Sequence, residues 1–230
     1  TEINSVIALY SSGQIQEALD TVETLTKGYP NDSLLYNLSG ICYKTIGKLD
    51  EAVKSFEKAL AIKPDYAEVH YNLGLTLQDL GQLDAAVKCY EQAIAIKPDY
   101  ANACNNLGVT LQELGQLDAA VKSYEQALAI KPDYADAHYN FGIALQELGH
   151  LDAAVKNYEQ ALAIKPSHAK AFNNLGIVLK ELGHLDAAVK NYEQALAIKP
   201  DFAEVHYNLG ITLQELGQLD AAVKSFEQAL

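Results

Sequence analysis

Residues 79–88 read DLGQLDAAVK, and the same ten residues return almost unchanged down the chain. ELGQLDAAVK stands at 113–122 and again at 215–224, and ELGHLDAAVK stands at 147–156 and 181–190. The step is 34 residues throughout. Gly40, Gly74, Gly108, Gly142, Gly176 and Gly210 keep that step, and so do Pro30, Pro64, Pro98, Pro132, Pro166 and Pro200. Working outward, the units are 33–66, 67–100, 101–134, 135–168, 169–202 and a shorter 203–230. A degenerate unit, 1–32, comes first; it keeps Gly13, Ala18 and Pro30 but has Val6 where the others have their first glycine. A fixed period of this length marks tandem units that each pack only on their neighbours. One array over 1–230 is therefore expected, as part of a longer chain.

Each unit reads as two helices. In 67–100 the apolar residues Val69, Leu73, Leu77 and Leu80 recur at threes and fours, so a helix A is predicted over about 67–80. Gly81 and Gln82 break it. Asp84 is expected to cap helix B by accepting from the free N–H groups of its first turn. Helix B carries Ala86, Val87, Tyr90, Ala93, Ile94 and Ile96 on one side. Pro98 stops it, because proline lacks an N–H and disfavours helix in the residue before it. Lys97 then lies at the negative end of the helix dipole. Gly74, Ala86 and Ala93 are small enough for close helix crossing. The helix B aromatics Phe56, Tyr90, Tyr124, Tyr158, Tyr192 and Phe226 are expected to fill the space beside the next unit.

Composition narrows the function classes. The chain has 230 residues and a formal charge of −13, and all 17 basic residues are lysine. Such an acidic surface repels phosphate backbones and anionic membranes, so neither nucleic acid nor membrane is an expected partner. The 49% apolar content argues against disorder. Cys42, Cys89 and Cys104 are odd in number and form no C-x-x-C pair, which fits a reducing compartment and a cytoplasmic location. No apolar run reaches the roughly 18 residues of a membrane span. The chain begins at Thr1 and has no methionine, so its native start is expected to lie elsewhere.

The pattern resembles the tetratricopeptide repeat family, over essentially the whole chain. The family's Leu-Gly pair is matched by Leu73-Gly74, Leu107-Gly108, Leu175-Gly176 and Leu209-Gly210. Its later landmarks are matched by Ala86, Tyr90, Ala93 and Pro98. The departures are local: Tyr36, His70, Cys104, His138, Phe172 and His206 replace the helix A tryptophan, and Leu77 and Leu111 its tyrosine. The resemblance implies an all-α, right-handed superhelical solenoid of antiparallel helix pairs. It implies that the A helices line a concave groove, into which the second, fifth, sixth, ninth, twelfth and thirteenth positions of each unit look.

At the sixth position stands a column of asparagines: Asn72, Asn106, Asn140, Asn174 and Asn208. An amide has an acceptor and two donor hydrogens, so it can hold both main-chain groups of an extended peptide. Helix spacing of roughly 8–10 Å against a peptide rise of about 3.3 Å gives one asparagine per ~3 peptide residues. The same residues could instead tie helix A to its neighbour. The column is similar to the asparagine ladder of the O-linked N-acetylglucosaminyl transferases, which anchors client backbones. The fifth position alternates Tyr71, Asn105, Tyr139, Asn173, Tyr207. The ninth is apolar (Leu75, Val109, Ile143, Ile177, Ile211) and the thirteenth acidic (Asp79, Glu113, Glu147, Glu181, Glu215).

These features point to a scaffold that binds a protein or an extended peptide, with apolar and some basic residues in the partner. No catalytic activity or cofactor is expected. The family's carboxylate clamp needs Lys and Arg where this chain has mainly Glu, Asp, Tyr and Asn, with Lys170 as a lone exception. His70, His138 and His206 recur in alternate units, too far apart for a shared ion whose ligands must all lie near 2 Å, so they are expected to pack. His150 and His184 fall in turns and are expected to be solvated. The last unit ends inside helix B without a polar cap, so a continuing chain or a second molecule is expected over that apolar face. Thr1, Glu2, Asn4 and Ser5 make the first unit a candidate N-terminal cap. Two alternatives remain: the recruiting arm of a glycosyltransferase or sulfotransferase, and end-to-end self-assembly.

Overall fold

The computed structural model describes residues 2–230, and every regular element among them is an α-helix. Two compact units divide the chain, Thr1–Gln116 and Leu117–Leu230. The first holds α1 (Glu2–Ser11), α2 (Ile15–Gly28), α3 (Ser33–Thr45), α4 (Leu49–Ile62), α5 (Ala67–Asp79), α6 (Leu83–Ile96) and α7 (Ala101–Glu113). The second holds α8 (Leu117–Ile130), α9 (Ala135–Glu147), α10 (Leu151–Ile164), α11 (Ala169–Glu181), α12 (Leu185–Ile198), α13 (Ala203–Glu215) and α14 (Leu219–Gln228). Odd-numbered helices are the A helices and even-numbered ones the B helices. Within each unit A and B pair, and each B helix packs on the next A helix, which is the tandem solenoid arrangement of helix pairs expected.

Successive A helices also touch: α3 with α5, α5 with α7, α9 with α11, and α11 with α13. Among the described residues no two successive B helices approach as closely. Within each unit the A layer is thus the tighter, inner one.

The turn between A and B explains why the units are so alike. Helix α5 ends at Asp79, one residue earlier than predicted, and Gly81 takes φ +72°. Its amide reaches the Gln78 carbonyl at 2.9 Å, and the Gln82 amide reaches that of Leu77 at 2.8 Å. Only glycine adopts this left-handed closure cheaply. The closure is so short that Gln82 itself becomes the N-cap of α6. The cap expected at Asp84 is therefore corrected. Asp84 lies inside the first turn, where its charge favours the positive end of the helix, and the cap makes no side-chain bond.

At the other end α6 stops at Ile96, and the Lys97 amide donates to the Ala93 carbonyl at 2.9 Å. The Lys97 ammonium lies 3.5 Å from Glu68 and 4.8 Å over the Tyr100 ring.

Helix B aromatics fill the heart of each hairpin as well as the space beside the next unit. Tyr90, Tyr158 and Tyr192 are fully buried. Each lies against the glycine of its own helix A: Gly74, Gly142 and Gly176. The same rings reach onward too: Tyr158 clusters with Ala171, Leu175 and Val178, and Tyr192 with Val205, Leu209 and Leu213. Burying one such ring contributes on the order of 2–3 kcal/mol, so the aromatic joins hairpin and neighbour in one core.

The histidines pack as expected, and His138 has a second bond, from Nδ1 to Asn157 Oδ1 at 3.1 Å. The Nε2 atoms of His70, His138 and His206 lie 2.9, 3.0 and 2.8 Å from the carbonyls of Pro64, Pro132 and Pro200, fixing the loop that enters helix A. His150 and His184 are exposed. Glu2, Asn4 and Ser5 of the first helix are exposed as well, while Thr1 lies outside the described residues.

Candidate functional site on the A helices

Two polar rails run along the A helices, each built by a 35-residue step. In the first rail an asparagine amide donates back to the fifth position of the preceding unit. Asn72 donates to Asn37 Oδ1 at 3.2 Å and Asn106 to the Tyr71 hydroxyl at 3.1 Å. Asn174 donates to the Tyr139 hydroxyl at 3.4 Å and Asn208 to Asn173 Oδ1 at 3.1 Å. Asn140 occupies the same position on α9 and is half-buried like the others.

The fifth-position residues divide by type. Asn105 and Asn173 are buried, at 5% and 2% exposure. Asn105 donates to Asn106 at 3.1 Å. Asn173 donates to Glu204 at 3.1 Å and to Asn174 at 3.4 Å, so its amide is answered on both sides. Tyr71 and Tyr139 are half-buried and stack on the residue that precedes the next A helix, Tyr100 at 4.9 Å and His168 at 4.5 Å. Burial raises both phenols, with partial relief from the Asn106 and Asn174 amides, so both remain neutral hydroxyls with a hydrogen to give. Tyr207 is 54% exposed.

The second rail links the twelfth position to the acid at the thirteenth position of the next unit. Lys44 pairs with Asp79 at 3.1 Å, Gln78 donates to Glu113 at 3.1 Å, and Lys180 pairs with Glu215 at 3.0 Å. These acids are thus tied to neighbouring units rather than being free helix ends. The pairs are half-exposed, so each is worth about 0–1 kcal/mol, and they set register more than stability. The ninth-position residues on the same A helices, Leu75 and Val109 in the first compact unit and Ile143, Ile177 and Ile211 in the second, are all half-buried.

Sequence reading alone did not single out two side chains. Gln78 serves the rail with its amide hydrogens, while its Oε1 accepts from the Tyr90 hydroxyl at 3.0 Å; Gln146 accepts from Tyr158 in the same way at 2.9 Å. His168 is the N-cap of α11, and its Nδ1 accepts from the Ala171 amide at 3.2 Å. The signal for the first was available, as a glutamine one place before the acid at 78, 112, 146 and 214.

Other chemistry is sparse on this face. Among the described residues no group of three or more His, Cys, Asp or Glu could hold a metal ion. Cys42 and Cys104 are buried, and burial pushes the Cys89 and Cys104 thiols up to about 11, so they are protonated packing groups. No helix is long and apolar enough to cross a membrane, among the described residues.

Family models described as TPR repeat match residues 40–81, 77–115, 110–149, 145–183 and 178–217, and one described as Tetratricopeptide repeat matches 207–230. No curated protein matches the chain. Among solved structures, MamA is similar at 27% identity over 68% of this chain and 92% of that one, with a TM-score of 0.66. YrrB, described as a TPR protein with an unusual peptide-binding site, is similar at 21% identity over 86% of this chain and 98% of that one, with a TM-score of 0.69. PilF of Pseudomonas aeruginosa is similar at 19% identity over 84% of this chain and 88% of that one, with a TM-score of 0.74. The last two likenesses show the fold.

Proposed function

Since the chain belongs to the tetratricopeptide repeat family, we propose that it is a protein-interaction scaffold, not an enzyme, that holds an extended polypeptide along its A helices. The observation that supports this reading is that, within each compact unit, the A helices carry half-buried aliphatic residues as well as the polar rails. An extended peptide can lay alternate side chains on these aliphatic residues while its main chain meets the rails. Asn72 and Asn208 each give one amide hydrogen to a neighbour and have a second to offer, whereas the Asn106 and Asn174 amides also serve the Tyr90 and Tyr158 hydroxyls. Together with Asn140, Tyr71, Tyr139 and Tyr207, these form the proposed contact set. Asn105 and Asn173, being buried, act in it by holding their neighbours in place. The peptide-binding site named for YrrB supports the reading by likeness.

The test is Asn106→Ala combined with Asn140→Ala. Partner capture from the native host should fall at least tenfold while the helical circular-dichroism spectrum is retained. Unchanged capture by a folded double variant rejects the contact set.

A further inference from the structure

Unit 33–66 departs from the repeat at a few scattered positions, and the fold brings them together. Ser39 stands where the later units have Leu73, Leu107, Phe141, Leu175 and Leu209. Tyr43 replaces their leucine, Glu51 their alanine and Lys58 their glutamine; the next unit has Leu77, Ala85 and Gln92. Thr26 of α2 stands where the later B helices have leucine or isoleucine. All five of these residues line one cleft of about 260 Å³ formed by α2, α3 and α4. Four of the changes put a polar group where the repeat has an apolar one, and the fifth turns a neutral amide into a charge. Leu25 of α2, where later B helices have alanine, accounts at most for the small size of Ser39. It does not account for four further polar departures at the same place. Local rules broken together, at one concave spot, mark a site that folding alone does not require.

Part of the lining is spent on holding the walls. Tyr43 gives its hydroxyl hydrogen to the Glu23 carboxylate, and Thr26 gives its own to the Glu23 carbonyl at 2.9 Å. The Ser39 and Ser55 hydroxyls meet each other at 3.4 Å in the buried part. The rest is open to a ligand. Lys54 and Lys58 form no ion pair among the described residues, and Lys58 stands 5.7 Å over the Tyr36 ring. Glu23, Glu51, Lys54 and Lys58 are exposed, and Tyr36 is half-buried, so all five can be reached from solvent.

Charge decides what fits. The cleft carries two lysines and two glutamates, so an anion meets both acids and a cation meets both ammoniums. An apolar molecule would strip water from these groups without answering them. A neutral molecule whose groups each donate and accept has no such conflict, and the hydroxyl is that group. The Tyr36 ring adds a flat surface for the C–H face of a sugar. At ~30 Å³ per water the volume holds roughly nine waters, which is room for one sugar ring.

We propose that this cleft binds a neutral, hydroxyl-rich small molecule of monosaccharide size. Glu23 and Glu51 accept from its hydroxyls, Lys54 and Lys58 donate to them, and Tyr36 packs on its ring. The site uses the fourth, seventh and eleventh positions of helix A, not those of the peptide contact set, so it stands or falls independently of the peptide reading.

The whole chain is titrated into the millimolar range with glucose, galactose, mannose and N-acetylglucosamine, following the tyrosine ring signals by NMR. Inorganic phosphate and free glutamine serve as the charged and zwitterionic comparisons. At least one sugar should shift the Tyr36 and Tyr43 signals saturably, and neither comparison should. Glu51→Ala with Lys58→Gln restores the repeat's own residues at the rim. It should weaken that sugar about tenfold or more while the melting temperature is retained. Ser39→Leu, which fills the buried part, should weaken it as well. Glu159→Gln with Lys190→Gln changes the same charges on α10 and α12 and should leave affinity intact.

A chain whose tyrosine signals none of the four sugars moves overturns the site. Full-strength sugar binding by Glu51→Ala with Lys58→Gln overturns it too, since the ligand then sits elsewhere. Phosphate or glutamine binding as tightly as the best sugar overturns the neutral ligand class.

Discussion

Gly142 of α9 lies so close to Tyr158 of α10 that a methyl group on its Cα would stand 2.7 Å from the ring's Cε1. The ring is fully buried and has nowhere to retreat. Gly142→Ala gains about 1 kcal/mol of helix propensity but loses more to overpacking, so a net destabilisation of about 1–2 kcal/mol is expected, read as a lowered denaturation midpoint. Gly149, in the adjoining turn, is required for another reason: its φ is +75° and open space surrounds it. Substitution there should follow conformational tolerance, with Gly149→Asn costing less than Gly149→Ala. At Gly142 the order reverses, since size is what matters. The same ranking at both sites would refute the distinction.

Asn173 joins two units through Asn208, Asn174 and Glu204 while only 2% exposed. Asn173→Ala leaves the amide of Asn208 and the carboxylate of Glu204 without their partner, and should cost about 1–3 kcal/mol. Asn208→Ala removes one bond at a half-buried site and should cost about 1 kcal/mol or less. Chemical denaturation of the two variants checks the order.

The Gln78–Tyr90 bond predicts a coupling. Gln78→Leu strands the Tyr90 hydroxyl and should destabilise by about 1–3 kcal/mol. In a Tyr90→Phe background the same change should cost markedly less, because no hydroxyl is left unanswered. Equal costs in the two backgrounds would show that the bond contributes nothing.

His168 gives a pH dependence with a definite sign. Burial, and then the Lys165 charge, hold its imidazole below the usual 6.5, against an opposing pull from Asp136; Lys170 adds to the lowering. The unfolded chain therefore takes the proton more readily than the folded one. The cap's contribution is present above pH 6.5 and is lost as the pH falls from there through the depressed folded value. His168→Asn keeps a capping acceptor without a titrating group. Its melting temperature should fall less than that of the parent chain between about pH 7.5 and 5, and parallel curves would exclude the effect.

Periodicity made the helices, the hairpin pairing and the buried face readable in advance, because Leu73, Tyr90 and their counterparts recur at helical spacing and cannot all be exposed. It also put Asn72, Asn106, Asn174 and Asn208 on one face. Partners were harder to read. A side chain's hydrogen bonds depend on what a neighbouring unit presents at a given height. That is why the acids at 79, 113 and 215 read as an acidic margin for a basic partner and are tied to residues 44, 78 and 180. The Asp84 cap failed for a local reason, since the short glycine closure lets the helix start two residues before the expected place.

The 35-residue handshakes also bear on how such a chain can change length. Excising 169–202 would bring Asn208 to the place held by Asn174, where the Tyr139 hydroxyl is as fit an acceptor as the Asn173 carbonyl it left. Gln146 would meet Glu215 and keep its grip on Tyr158. Whole blocks can thus be lost or gained with every clasp remade, whereas a cut of any other size leaves mismatched hands on both rails. A shortened chain of this kind that melted without cooperativity would break the inference.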